Sequence, residues 1–229
     1  MVLLECDALK LGYAGHVVAE GVSFTLEKCD YLCVVGENGS GKSTLVKTLL
    51  GLNKPLAGTI CRSSGFSPRR IGYMPQKTDL QKDFPATVRE IVLSGFLGEK
   101  GHFGFYSKKD KAHMQAIFDR LEIRSLADKS IRELSGGQQQ RVFLARALCA
   151  ANEVLLVDEP CAGLDTEGTA ELYALLDKLH TEDGLTILMV THDPEAVRRY
   201  ASKVLHLGKQ VSFQTREAYL AAQGDTIHG

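Results

Sequence analysis

The chain has 229 residues, enough for one α/β domain with a sizeable core or for one domain that carries a smaller subdomain. Its 27 Lys and Arg residues balance its 28 Asp and Glu residues, so the formal net charge of −1 gives no long-range attraction to nucleic acid or anionic lipid. No apolar run approaches the length of a membrane-spanning helix, and residues 1–5 lack the basic start of a secretory signal. We therefore expect a cytosolic protein that does not bind nucleic acid.

The first elements in the chain are predicted to be strands. Residues 3–9 and 22–26 have a β pattern, and the turn-prone residues 12–15 separate them. Residues 31–35 then form an apolar, β-prone segment that leads directly into a glycine-rich stretch. The sequence therefore predicts an N-terminal β part followed by a buried strand.

The glycine-rich stretch, residues 36–44, has the form of a complete phosphate-binding loop. It lies between the predicted strand and a helical pattern that Gly51 is expected to close. Glycines permit a tight backbone path, consecutive N–H groups point inward, and the helix dipole favours negative charge. Lys42 can reach the β- and γ-phosphates, and Ser43 can offer its hydroxyl to Mg²⁺. The predicted nucleotide-binding residues are Gly36, Glu37, Asn38, Gly39, Ser40, Gly41, Lys42, Ser43 and Thr44.

The middle of the chain changes from strands to helices. Residues 58–61 and 71–74 read as strands, and the helical character begins at Pro75. Thr87 is a plausible N-cap of an amphipathic segment, and Ser107 is a plausible N-cap of a longer helix. That longer helix places a stripe of apolar residues at helical spacing, which predicts core packing: Met114, Ile117, Phe118 and Leu121.

The last third of the chain alternates between helices and strands, which predicts a parallel sheet covered on both faces. The predicted segments are helix 138–151, strand 154–157, helix 166–180, strand 185–190, a short helix from Asp193, strand 203–207 and a final helix near 215–222.

Two carboxylates follow the apolar strand 154–157. Successive side chains of a strand alternate between its faces, so Asp158 and Glu159 need not serve the same purpose. Asp158 is placed to hold Mg²⁺ through its water shell, and Glu159 to polarise a water aimed at the γ-phosphorus. A base-like Glu favours hydrolysis over transfer to a substrate hydroxyl. The alternative is an acidic strand end without a catalytic role.

A second helix N-terminus carries a serine and two glycines. The run Leu134-Ser135-Gly136-Gly137-Gln138 offers a hydroxyl and free N–H groups, although it could also be a plain capped turn. Because residues 36–44 already hold one nucleotide, the second anion site suggests a nucleotide bound by a partner. Two chains arranged head to tail would hold two ATP molecules between them with two-fold symmetry.

In this order the motifs resemble the ATP-binding cassette of ABC transporters, and the likeness covers nearly the whole chain. Residues 134–138 match the signature of that family. The resemblance implies an α/β fold: a P-loop NTPase parallel-sheet core with an N-terminal antiparallel β part and an inserted helical subdomain. Residues 1–229 would form a single ABC ATPase domain, with residues 1–76 and 139–229 as the nucleotide-binding core and residues 77–138 as the helical subdomain.

The resemblance also assigns roles to single residues. It implies that Tyr13 stacks on the adenine and that Gln76 senses Mg²⁺ and the attacking water. It implies that Asp165 communicates across the dimer and that His192 contacts the γ-phosphate. Tyr13 also has a simpler alternative as an ordinary turn aromatic.

The resemblance implies several partners. They are a second copy of the chain in the ATP sandwich, integral membrane permease subunits and, indirectly, a substrate-binding protein. The chain would then lie peripherally on the cytoplasmic face of the cell membrane. Its docking surface is expected within residues 77–107, where residues 83–88 and 96–105 would offer exposed apolar groups.

The sequence indicates the transported substrate less clearly than it indicates ATP hydrolysis. Residues 83–88 look like those of bacterial cassettes for zinc or manganese uptake. Import of an iron chelate or another small solute is the alternative within transporters. A soluble ABC ATPase that acts on ribosomes or in DNA repair is a second class, and a small-molecule kinase is a third that residues 134–138 and Glu159 disfavour.

Overall fold

A computed structural model describes residues 1–13, 16–76, 85–97, 106–151 and 153–224. The chain divides into two compact units, one formed by Met1–Pro68 with Gly184–Gly229 and the other by Arg69–Asp183. Within the described ranges, no helix combines the length and the apolarity needed to cross a membrane.

The first unit contains a three-stranded antiparallel sheet. Its central strand β1 (Val2–Tyr13) pairs with β2 (His16–Glu27) on one side and with β4 (Ala57–Arg62) on the other. Side chains of β1 and β2 that point to one face, such as Leu4 and Phe24, are buried. This sheet confirms the predicted N-terminal β part, with strands longer than the sequence pattern indicated.

The same unit contains strands that lead to the phosphate-binding residues. β3 (Tyr31–Gly36) pairs in parallel with β7 (Thr186–Val190) and with β8 (Lys203–Leu207). The side chains of β7 are buried throughout, as expected for a parallel strand covered on both faces. β9 (Ser212–Thr215) pairs with β8 in the antiparallel direction, so the parallel arrangement predicted from the sequence does not extend to this strand.

The described residues of the first unit form three α-helices: α1 (Lys42–Leu49), α6 (Pro194–Tyr200) and α7 (Arg216–Gly224). Gly51 follows α1 with a φ of 72°, and its N–H donates to the Thr48 carbonyl at 3.0 Å. The predicted end of α1 at Gly51 is confirmed, because a left-handed residue here satisfies a carbonyl of the last turn.

The second unit packs four helices around a parallel strand pair. β5 (Ile71–Met74) lies beside β6 (Val154–Asp158). The helices are α2 (Val88–Leu93), α3 (Lys108–Arg120), α4 (Gly136–Ala150) and α5 (Thr166–Thr181). α4 is central, since it packs against α2, α3, α5 and β5 and buries Val142, Leu144 and Ala145. These helices with the parallel strands confirm the α/β prediction.

The helix starts predicted at Thr87 and Ser107 are confirmed. Each side chain accepts a hydrogen bond from the backbone N–H three residues on, and the carboxylate of that third residue accepts a hydrogen bond from the backbone N–H of the cap. These capping boxes satisfy amides that the first turn of a helix leaves without partners. The apolar stripe of α3 is also confirmed as core, because Met114, Ile117 and Phe118 are buried.

One prediction about the docking surface is wrong for two residues. Val88 is fully buried and Phe96 is only 8% exposed, so neither offers an exposed apolar side chain. The Phe96 ring lies 5.7 Å from the His113 ring in an edge contact, and the turn that contains Phe96 packs against α4. Leu97 is exposed, whereas residues 77–84 and 98–105 of the predicted surface lie outside the described residues.

Candidate nucleotide site

The predicted phosphate-binding residues connect the end of β3 to the start of α1. Gly36 is in register with Leu207 of β8 and has a φ of 152°. A Cβ added at Gly36 would lie 2.1 Å from the Leu207 carbonyl oxygen, so only glycine fits at this close approach. The sequence therefore requires glycine where the chain leaves the sheet and enters the loop.

The first turn of α1 is open to an anion. Its N-cap is Gly41, which has a left-handed backbone (φ 99°) and makes no side-chain capping bond. Ser43 is exposed and Thr44 is half-buried in the turn that follows. Because amides of a first helical turn have no carbonyl partner within the helix, they are available to phosphate oxygens.

Lys42 lies inside the curve of this loop. Its side chain is largely buried, at 7% exposure, and its Nζ donates to the Gly36 carbonyl at 2.7 Å and to the Glu37 carbonyl at 2.8 Å. The Ser40 N–H also donates to the Glu37 carbonyl, at 3.2 Å. Among the described residues, the buried Ser40 Oγ finds no hydrogen-bond partner. A buried cation and an unsatisfied hydroxyl in one loop fit a bound phosphate group.

Two further predicted residues belong to the same unit. His192 follows β7, is exposed, and lines a groove of about 290 Å³ together with Gly36 and Glu37. The structure thus brings His192 close to Gly36 and Glu37 at the start of the predicted phosphate loop. Tyr13 ends β1 and is 60% exposed, so its ring face is open to contact.

The two carboxylates that follow strand 154–157 are each held by a side chain from β5 or the residues after it. Gln76 Nε2 donates to Glu159 Oε2 at 2.8 Å. Asp158 is 9% exposed and accepts a hydrogen bond from the Tyr73 hydroxyl. Burial and the Asp158 charge raise the pKa of Tyr73 to about 12, which keeps its hydroxyl protonated as a donor.

Glu159 has an unusual backbone for a residue with a side chain. Its φ is 46°, in the left-handed region, and its carbonyl accepts the Ala162 N–H at 3.1 Å in the following turn. Such a conformation costs about 1–2 kcal/mol in a non-glycine residue, and residues of this kind cluster at functional sites.

The serine–glycine turn is both a capped turn and a potential anion site. Ser135 is the N-cap of α4, and its Oγ accepts the Gln138 N–H at 3.3 Å while Gln138 Oε1 accepts the Ser135 N–H at 3.1 Å. A hydroxyl that accepts one bond can still donate another. Gly136 and Gly137 occupy the first turn beside it.

Asp165 is also an N-cap. Its Oδ1 accepts the Gly168 N–H at 2.8 Å at the start of α5. A groove of about 500 Å³ is lined by Ser135, Gly137, Asp165 and Gly168, so the structure brings these two predicted segments together.

Two side chains near these residues were not found by sequence reasoning. Tyr73 holds Asp158, and Arg141 of α4 contacts Glu122 and Glu171. Neither contact is visible in a local pattern, since the partners are 19 or more residues apart. Tyr73 could have been suspected from its place in the sequence, because it lies near the end of the predicted strand 71–74 and three residues before Gln76.

Comparison with known proteins identifies the family. The family model described as ABC transporter matches residues 19–162. The zinc uptake system ATP-binding protein ZurA of Listeria innocua is 37% identical over 217 residues, which cover 92% of this chain and 84% of that protein.

Solved structures agree with that assignment. An inward-facing metal-chelate type ABC transporter is similar with a TM-score of 0.86 and 31% identity, over 96% of this chain and 86% of that chain. The dimeric structure of MJ0796, a bacterial ABC transporter cassette, is similar with a TM-score of 0.72 and 25% identity, over 92% and 98%. The chain belongs to the ABC transporter family, as an ATP-binding subunit that hydrolyses ATP.

Proposed function

We propose that this ATPase powers zinc import through separate membrane subunits. The observation that carries the cargo is the similarity to the Listeria zinc uptake protein over most of both chains. The likeness to a metal-chelate type transporter supports the wider class of metal import and keeps an iron chelate as the second candidate.

ATP is held by its phosphates at residues 36–44 and by its adenine at Tyr13. The buried Lys42 ammonium exchanges its two loop carbonyls for phosphate oxygens, and the Ser40 hydroxyl gains a partner. Stacking on the exposed Tyr13 ring adds apolar and π contact to the adenine.

The side chains proposed to hold Mg²⁺ are Ser43, Gln76 and Asp158. They supply a hydroxyl, an amide oxygen and a carboxylate, which are ligands that Mg²⁺ accepts alongside waters and substrate phosphates. When bound, Mg²⁺ neutralises charge on the β- and γ-phosphates. The Tyr73 hydroxyl orients Asp158 by donating to it.

Hydrolysis uses Glu159 as the group that positions and polarises the attacking water. Gln76 donates to the same carboxylate and therefore fixes one of its oxygens. His192 interacts with the γ-phosphate, and Lys42 stabilises the charge that develops on it.

The active form is a homodimer in which two nucleotides are sandwiched head to tail. Each nucleotide lies between the phosphate loop of one copy and Ser135, Gly136, Gly137 and Gln138 of the other, with Asp165 contributing at the same interface. The capped turn at Ser135 and the Asp165 turn line one groove, which supports a shared role toward a single ligand. The dimeric structure of the MJ0796 cassette supports the dimeric state in this proposal.

The membrane partners are permease subunits, and an extracytoplasmic substrate-binding protein acts through them. The chain works as a single ABC ATPase domain at the cytoplasmic face of the membrane. Docking within residues 77–107 remains part of this proposal, with exposed Leu97 in place of Val88 and Phe96.

Radioactive zinc uptake in a deletion strain of the parent organism tests the cargo. The wild-type chain should restore uptake and Glu159→Gln should not, because the amide cannot polarise water; turnover should fall at least about 100-fold. Glu153→Gln is the matched control, since Glu153 is an exposed acid that precedes β6 rather than following it.

The alternatives give different results in the same strain. Restored uptake of an iron chelate without zinc uptake would replace the cargo and keep the transporter. ATP hydrolysis without membrane co-purification or any change in uptake would support a soluble ABC ATPase instead.

A further inference from the structure

The groove shared by Ser135 and Asp165 depends on the relative placement of two helices. Ser135 caps α4 and Asp165 caps α5, so each turn moves with its helix. For both turns to reach one ligand, the angle between α4 and α5 must be held closely. The side chain that connects these helices at the groove is Arg141.

Arg141 makes three hydrogen bonds from one guanidinium group. Its Nη2 donates to Glu171 Oε2 on α5 at 2.9 Å. Its Nη1 donates to the Leu121 carbonyl and to Glu122 Oε2, both at 3.2 Å. Arg141 therefore joins α4 to α5 and to the end of α3.

The guanidinium in this contact is partly shielded, whereas its two carboxylate partners are more open to solvent, with side chains 80% exposed for Glu122 and 54% exposed for Glu171. The Arg141 side chain is only 22% exposed, and Arg141, Glu122 and Glu171 all line the groove with Ser135 and Asp165. Leu121 is the C-cap of α3, where a cation interacts favourably with the helix dipole. Glu122 has a φ of 58°, so the turn that presents its carboxylate is held in a left-handed conformation.

We infer that Arg141 is a positioning residue for the ATP sandwich: it sets α4 against α5 so that the Ser135 and Asp165 turns face the same nucleotide of the partner. This inference rests on the dimer described under the proposed function. A planar guanidinium with fixed donor directions suits the task, because a lysine keeps the charge but cannot hold three acceptors in one geometry.

The chain supplies a matched control in Arg120. Its Nη2 donates to Glu182 Oε2 at 2.7 Å and to both Asp183 carboxylate oxygens at 3.3 Å, so it joins the end of α3 to the residues after α5. Arg120 is 35% exposed, and it does not line the groove that contains Ser135 and Asp165. Arg120→Ala removes a comparable set of contacts at the opposite end of α5.

The experiment measures ATP-dependent dimerisation by gel filtration in the Glu159→Gln background. Adding Arg141→Ala should raise the ATP concentration for half-maximal dimerisation about tenfold, since a displaced turn loses about one hydrogen bond to a charged phosphate. Adding Arg141→Lys should give an intermediate value, and adding Arg120→Ala should change it by less than about twofold.

Two further measurements separate positioning from folding. ATP affinity of the monomer, measured by calorimetry with the Glu159→Gln protein below its dimerisation concentration, should be unchanged by Arg141→Ala. Melting temperatures of the two alanine variants should fall by similar amounts. Equal dimerisation defects in both variants, or none in Arg141→Ala, would overturn the inference.

The same experiment distinguishes an error in the proposed ATP sandwich from an error in the role of Arg141. If Glu159→Gln alone remains monomeric with ATP, the sandwich itself is wrong. If it forms a dimer that Arg141→Ala does not weaken, the sandwich stands and only the role of Arg141 is rejected.

Discussion

Two helix N-termini in this molecule each contain a serine followed by a glycine, Ser40-Gly41 at α1 and Ser135-Gly136 at α4, but they differ in local structure. Within the phosphate loop, Gly41 is the N-cap of α1 and makes no side-chain hydrogen bond to the helix. The serine–glycine turn ends at Ser135, which caps α4 through a reciprocal capping box with Gln138. The first turn of α1 therefore leaves its amides to a ligand, whereas α4 satisfies part of its own first turn.

This structural difference predicts that the two sites contribute differently to nucleotide binding and to dimerisation. A loop with uncapped amides and a buried lysine binds phosphate strongly by itself. A capped turn is stable without a ligand and adds a hydroxyl and glycine amides to a phosphate held elsewhere. The first site should therefore control nucleotide affinity, and the second should control association of two copies.

The largest expected effect tests the phosphate loop. Lys42→Ala should weaken ATP binding about 100-fold, because it removes a buried cation whose place is inside the loop. Calorimetry on the monomer measures this directly. Lys47→Ala is the control on the same helix, since Lys47 is exposed in the last turn of α1. Equal affinities in wild type and Lys42→Ala would contradict the assignment of the loop.

The next effect tests the serine–glycine turn against an ordinary cap. Ser135→Ala and Ser107→Ala both remove an N-cap serine from a capping box, so each should lower the free energy of unfolding by about 1 kcal/mol. Only Ser135→Ala should weaken ATP-dependent dimerisation, by about tenfold for one lost hydrogen bond to a charged phosphate. Urea unfolding and gel filtration measure the two quantities. If Ser135→Ala and Ser107→Ala dimerise equally well with ATP, Ser135 acts only as a helix cap.

The last comparison takes one glycine from each N-terminus and concerns stability alone. Gly41→Ala should lower the free energy of unfolding by about 1–2 kcal/mol, because its φ of 99° is unfavourable for a residue with a Cβ. Gly137→Ala should raise the free energy of unfolding by about 0.5 kcal/mol, since Gly137 is helical and, apart from its chain neighbours and the backbone of its own helix, no described atom lies within 4 Å of an added Cβ. Urea midpoints of the two variants check the sign, and a loss of stability in Gly137→Ala would show that the turn is not the helix described.

Local chemistry explains what could be predicted from the sequence. The phosphate loop, the Thr87 and Ser107 caps and the acidic end of β6 each depend on residues within a few positions of one another. Their spacing in the sequence therefore carries the same information as their geometry.

The features that were missed depend on distant residues or weak local preference. β9 is polar and short, and its pairing with β8 decides its conformation. The Arg141 contacts join three helices, and the turn that contains Phe96 packs against α4 while the Phe96 ring contacts His113. No local pattern contains these partners, so only tertiary packing reveals them.

The left-handed backbone of Glu159 has a consequence for how this protein could be stabilised. At φ 46° a glycine or an asparagine would relieve strain that a glutamate must bear. A search for more heat-resistant variants would therefore be drawn to position 159, where the most favourable replacements also remove the carboxylate that Gln76 contacts. With the role proposed for Glu159, stability and ATP turnover favour different residues at this one position.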